Sequence, residues 1–163
     1  MQPKSVKITG SILRFLMAVT FLWPFFDKLL GLGYSTTPEK AWIAGGSPTA
    51  GFLKNSTGPL SAFFKTIGGS GIIDWLFMLC LLLVGIALLL GIGMKVAAVS
   101  GSVLMILMWT AAFPKPQNFF LIDDHLIYLV VLLVLAFIKA GQYGGFGRLW
   151  VKTSLVKKHP WLE

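Results

Sequence analysis

Apolar positions dominate this chain in four long runs, at residues 8–32, 72–92, 96–113 and 124–140. A bilayer core about 30 Å thick is crossed by about 20 apolar residues of helix, and each run is near that length. The pattern predicts an all-α integral membrane protein, a four-helix transmembrane bundle that occupies residues 1–163 as a single domain. Between the first two runs, over residues 33–71, the pattern changes. Leu60, Phe63, Phe64 and Ile67 recur at i, i+3, i+4 and i+7, with Ser61 and Lys65 opposite. That spacing predicts an amphipathic helix suited to the membrane interface. Trp42, Ile43, Phe52 and Leu53 add apolar anchors, and Gly45, Gly46, Pro48, Gly51, Gly58 and Pro59 supply turns. The segment therefore reads as a structured outer loop, a cap over the bundle. A passive linker resting on headgroups is the alternative.

Within the runs, Pro24 should kink the first helix near its end. The turn Gly91-Ile92-Gly93-Met94-Lys95 makes the second and third runs an antiparallel hairpin. Ala97 and Gly101, and likewise Ala98 and Ser102, place small residues four apart, which lets membrane helices approach closely.

Charge sets the orientation. The chain has 163 residues, 14 basic and six acidic, for a formal net charge of +8. Charged residues make up 12% of it, about half the usual share of a soluble domain. Lys4 and Lys7 precede the first run, and Lys139, Arg148, Lys152, Lys157 and Lys158 flank or follow the last. Basic residues beside membrane helices mark the cytoplasmic side and attract anionic lipid. The expected topology puts both termini in the cytoplasm, a basic tail over residues 141–163, and the protein in the cell membrane. No nucleic-acid motif accompanies the charge. Trp23, Trp75 and Trp109 fall at the predicted outer ends of three spans and Trp150 near the inner surface, as in an aromatic belt. The first run is too long for a signal peptide and is interrupted by Arg14. The single cysteine, Cys80, makes no intrachain disulfide, CxxC or zinc cluster. The sequon Asn55-Ser56-Thr57 matters only in a glycosylating host.

The candidate chemistry lies in polar residues at membrane depth, where an ionisable group costs about 2.5–3.5 kcal/mol at the centre. Arg14 reads either as a snorkelling cation or as an interior anchor for a carbonyl or an anion. Asp27 and Lys28 follow Pro24, with Trp23 on the face of Asp27. Asp74 and Asp123 stand at helix starts, where capping explains acids. Asp124 and His125 follow, with Tyr128 one turn below Asp124. Together with Trp109 these residues are expected at one level, the outer one. A histidine beside carboxylates can exchange protons near neutral pH. Such a pocket would suit a quinone headgroup, and a purely structural polar layer competes with that reading. The sequence carries no haem-ligating histidine pair, P-loop, zinc signature or iron–sulfur cysteine set, and no metal ligands or bound redox cofactor are expected.

Leu13-Arg14-Phe15 with Trp23 and Asp27-Lys28-Leu29, the hairpin from Gly85 to Gly91 with Met94-Lys95 and Ala97-Ala98, and Asp124 to Tyr128 with Ala140-Gly141 through Arg148 resemble the DoxX/DoxD membrane proteins. Trp42 to Leu53, with Gly46-Ser47-Pro48-Thr49, resembles the external segment of DoxD-type members. Phe25 and Phe26 stand where the family often has a glycine, and Gln142 where an arginine is common. The resemblance implies a four-helix membrane bundle and, for DoxD-type members, the membrane subunit of a thiosulfate:quinone oxidoreductase, working beside a DoxA-like small subunit. Other relatives resemble scaffolds that gather soluble redox enzymes. The expectation is a quinone-linked membrane subunit with Asp124 and His125 exchanging protons and Lys28 or Arg14 attracting an anion such as thiosulfate. The alternatives are a non-catalytic scaffold that binds partners through tail and cap, and a small-solute carrier or channel. Self-association is left open.

Overall fold

Alternation of long apolar stretches with glycine and proline gives helices joined by sharp turns. A computed structural model describes residues 2–113 and 122–163, and the regular elements among them are all helical. The first helix, α1, runs Lys4–Leu30 and passes through Pro24. Two short helices follow, α2 (Ala50–Lys54) and α3 (Ser61–Ile67). Then come α4 (Gly71–Leu90), α5 (Met94–Ala112) and α6 (Asp124–Phe137). The tail adds α7 (Gly147–Trp150) and α8 (Ser154–Lys158).

Helices α1, α4 and α5, with 27, 20 and 19 residues, are long and apolar enough to cross a membrane. A helix of 20 residues is about 30 Å long. This is a membrane protein by that measure. Helix α6 is apolar but has 14 residues. It stops short of the predicted boundary at residue 140 because Lys139 takes a left-handed conformation (φ 52°) and Ala140–Gln142 form a 3-10 turn. The cause is packing: Gly141 lies so close to Gly91 that a Cβ on Gly141 would stand 2.4 Å from the Gly91 carbonyl oxygen. The predicted connection between the third and fourth spans falls mostly outside the described residues.

The four longest helices pack in a ring, α1 on α4, α4 on α5, α5 on α6, and α6 back on α1. Met17, Phe21, Met78, Leu88, Leu132 and Leu135 fill the centre. Residues one face away, such as Ile12, Leu16, Leu76, Leu83, Val99 and Val130, are exposed. A helix apolar on both faces belongs in lipid rather than water. Gly101 stands where all four helices meet: a Cβ there would lie 2.8 Å from Leu132 Cδ1, 3.3 Å from Val84 Cγ1 and 3.5 Å from Phe21 Cζ. Ala97, Ala98 and Ser102 are buried beside it, as the small-residue spacing predicts.

The molecule has two ends. The cap end carries residues 31–70, and the hairpin end carries the Gly91–Gly93 turn, the start of α1 and the tail. The amphipathic pattern in the cap does form a helix, α3, but of seven residues. Only Phe64 of its apolar set is fully buried, while Leu60 and Phe63 are exposed.

Candidate functional site

At the cap end each buried carboxylate holds a piece of backbone. Helix α1 ends at Gly31 in the left-handed conformation (φ 69°), which the glycine allows without a Cβ clash, and the chain turns back. The returning turn places Tyr34 N (3.0 Å), Ser35 N (3.1 Å) and Ser35 Oγ (2.7 Å) as donors on the Asp27 carboxylate, which is wholly buried. Lys28, one residue on, is half-buried with its Nζ 3.5 Å from Ser35 Oγ. Trp23 is exposed and meets Tyr34 edge-on at 6.3 Å between ring centres.

Asp74, in the first turn of α4, accepts from Ser47 Oγ (2.9 Å), Thr49 N (3.1 Å) and Thr49 Oγ1 (2.6 Å). Its side chain thus sets the Gly46-Ser47-Pro48-Thr49 turn, and Ser47 Oγ in turn accepts from Ala50 N (3.1 Å) at the start of α2. Trp42 packs edge-on against Trp75 at 4.6 Å. The cap reaches a third helix where Thr57 N donates to the Ala111 carbonyl (3.3 Å), one of the open carbonyls at the end of α5. Gly58 fits beside it, because any Cβ would stand 2.3 Å from the Thr110 oxygen. The cap is therefore tied to α1, α4 and α5 separately.

Asp123 caps α6, accepting from His125 N (3.0 Å) and Leu126 N (3.4 Å). Its second oxygen lies 2.8 Å from His125 Nδ1. Asp124 and His125 are the residues expected to exchange protons; the carboxylate that meets His125 is that of Asp123, and Asp124 is exposed. An N-cap residue in extended conformation points its side chain back over the first turn, whereas the next residue is already helical and projects outward. Tyr128 packs on the core from α6, and Trp109 stacks obliquely with Phe113 at 5.3 Å. The expected gathering of acids into one pocket is thus resolved into separate anchors, with Asp27 and Asp74 sharing no donor among the described residues.

Arg14 does the same work at the hairpin end. It is 3% exposed. Its Nη1 donates to the carbonyls of Leu88 and of Leu89 (2.9 Å), and its Nη2 to those of Tyr143 (3.3 Å) and Gly144 (2.8 Å). The first two belong to the last turn of α4, whose open carbonyls carry the negative end of the helix dipole. Of the two readings of Arg14 as an interior anchor, carbonyl binding is the one observed. Gly91, Gly141, Gly145 and Gly147 pack nearby against one another's backbone and that of Leu90, where a Cβ on any of them would come within 3 Å of a carbonyl oxygen, and Gly91 and Gly145 also border the guanidinium. The five donors of a guanidinium suit such a cluster of backbone oxygens. Beside this knot lies a cavity of about 20 Å³ bordered by Met94, Ala136 and Trp150, roughly room for one water. At its rim the Glu163 carboxylate meets Lys139 (2.9 Å), Gln142 (2.7 Å) and Lys95 (3.4 Å). The hydrogen bond from Lys139 holds the Glu163 carboxyl below the usual glutamate range, against the opposing effect of burial.

Sequence reasoning singled out the acids but not their partners. Ser35, Ser47 and Thr49 are small hydroxyl residues in turns, and only the folded chain shows which carboxylate each reaches. No family model matches the chain, and no curated protein or solved structure matches it.

Proposed function

We propose that this protein is a four-span membrane scaffold that presents its cap as a fixed docking face for redox enzymes. In this reading α6 is the fourth span. Its 14 residues reach about 21 Å, and the flanking Ile122 and Ile138 with local bilayer thinning make up the difference. The cap end faces outward, and the hairpin end with both termini faces the cytoplasm of the cell, following the positive-inside rule. The resemblance to DoxX/DoxD proteins points to soluble redox enzymes, or a DoxA-like small subunit, as partners.

One observation carries the reading. Asp27, Asp74 and Arg14, the charges that are hardest to place in a membrane protein, each hold a surface segment rather than an open cavity. The partners that these three side chains hold are backbone and hydroxyl groups of the chain itself. A second reading, a quinone-linked subunit that oxidises thiosulfate, is favoured by the half-buried His125 on Asp123, a group able to pass protons at the cap end.

The two separate in thiosulfate-dependent reduction of a short-chain quinone by the purified chain, alone and with its native membrane partners. The scaffold reading expects no turnover by the chain alone. It also expects partners that cross-link to the cap and are lost from Asp74→Ala, a variant that frees the Ser47–Thr49 turn. Turnover by the chain alone that disappears in His125→Ala would replace the scaffold with the quinone-linked subunit.

A further inference from the structure

The net charge of this chain is confined to one end. Residues 1–14, 91–95 and 138–163 contain nine of the 14 basic residues and one of the six acidic ones, Glu163. The rest of the chain holds five of each, so the whole formal charge of +8 belongs to the hairpin end. The one acid there is already engaged by Lys95 and Lys139.

Within this basic end, two cations converge on a single ring. Lys7, from the second turn of α1, places Nζ 5.4 Å from the centre of the Tyr143 ring, and Arg148 of α7 places Cζ 5.8 Å from it. Tyr143 is a fixed platform, because its carbonyl accepts from Ser11 Oγ (3.0 Å) and from Arg14 Nη2 (3.3 Å). Among the described residues no carboxylate pairs with Lys7 or Arg148. Cation–π attraction draws each toward the ring, and the two together concentrate positive charge around one side chain with no carboxylate among the described residues to balance it. Phe146 and Leu149, which flank the ring in sequence, are 59% and 64% exposed. Lys152, Lys157 and Lys158 continue the basic surface, with Trp161 exposed beyond them.

We infer that Lys7, Tyr143 and Arg148 form a binding site for the headgroup phosphate of an anionic phospholipid. A phosphodiester supplies the missing negative charge and acceptor oxygens for a guanidinium fork and an ammonium. The exposed Phe146 and Leu149 supply the apolar contact that a lipid, unlike a soluble anion, brings with it. The start of α1 is also where a spanning helix leaves the bilayer, which puts the pair at headgroup level. The inference rests on the chain crossing a membrane and is independent of the scaffold role.

The test is native mass spectrometry of the full chain released from nanodiscs that contain phosphatidylglycerol and phosphatidylcholine of equal chain length. One phosphatidylglycerol should be retained in preference to phosphatidylcholine. Lys7→Gln and Arg148→Gln should each lower its retention by about fivefold, the worth of one basic residue near an anionic surface. Tyr143→Leu keeps every charge, and hence the topology, and should lower retention as well. Lys157→Gln with Lys158→Gln should leave it unchanged. Equal retention of the two lipids by the unaltered chain would overturn the site even if a variant failed to fold. So would a loss in the Lys157/Lys158 variant as large as that in the Lys7 and Arg148 variants, which would mean diffuse attraction. Displacement of the lipid by inorganic phosphate at equal concentration would assign the site to a soluble anion. Displacement by poly-glutamate alone would assign it to an acidic protein.

Discussion

At the cap end, acidic side chains hold the surface by accepting hydrogen bonds from backbone N–H and hydroxyl groups; at the hairpin end, a basic side chain does so by donating to backbone carbonyls. Asp27 gathers the turn at 34–35 and Asp74 the turn at 47–49. Arg14 gathers the last turn of α4 and the exit loop at 143–144. The two arrangements differ in reach. Each carboxylate binds one short segment to one helix, so its loss should be felt locally. The guanidinium joins α1, α4 and the tail at once, so its loss should be felt by the whole bundle. The backbone groups on offer explain the choice of charge, and for Arg14 the helix dipole adds to it. Backbone that must be tied near the end of α4 offers carbonyls, and a turn returning over the end of α1 offers N–H groups.

The strongest way to break this comparison is Arg14→Met. It removes the Arg14 donor from the carbonyls of Leu88, Leu89 and Gly144, and leaves that of Tyr143 with Ser11 Oγ alone. The expected destabilisation is about 3–5 kcal/mol, measured as a shift in the unfolding midpoint in mixed micelles. Gly101→Val tests the layer that both ends share. The added atoms meet Leu132 and Val84 and should cost about 1–3 kcal/mol by overpacking, read in the same titration. Asp27→Ala and Asp74→Ala should leave the unfolding midpoint of the bundle nearly in place. Hydrogen exchange should instead speed up at the amides of Tyr34 and Ser35 in the first variant and of Thr49 in the second, by the equivalent of about 1–3 kcal/mol of local opening. Global unfolding by either carboxylate variant would erase the distinction between the ends.

Two smaller effects sharpen it. Asp123→Ala should lower stability by about 1 kcal/mol through the lost cap of α6, whereas the exposed Asp124→Ala should stay within about 0.5 kcal/mol. Equal effects would mean that the two neighbours share the capping role. Glu163 gives a pH signature. Its carboxyl is held below the ordinary glutamate value by Lys139. The docking of the tail should therefore be complete above that ordinary value and fade as the pH falls through the lowered one. The contribution is under about 1 kcal/mol, since both lysines are about half exposed. Fluorescence of Trp150, whose Nε1 donates to the Leu162 carbonyl (2.7 Å), should follow the transition and lose it in Glu163→Gln.

Much of the scaffold of this molecule was legible from spacing. The long apolar runs, the glycine turn after α4 and the small residues around Gly101 follow from periodicity and chain geometry. Arg14 was legible only as one of two readings, a snorkelling cation or an interior anchor, and its burial in the folded chain decides for the anchor. The partners of the acids were not. Asp27 reaches across seven and eight residues and Asp74 across 25 to 27, and no local pattern announces which turn will return to which helix. The choice between Asp123 and Asp124 for His125 depends on a single residue of register at the helix start. The chain leaving α6 packs Gly141 against Gly91, fifty residues away in sequence, a contact that no local pattern announces.

Gly101 has a consequence at the scale of the cell. Around it four helices close with side chains from each of the other three pressed to within van der Waals distance. A membrane potential does about 2.3 kcal/mol of work on each charge per 100 mV, so even a thin thread of water along the axis would leak current. A layer packed this closely opposes such a leak. A bundle closed at this level would sit in an energised membrane without discharging it.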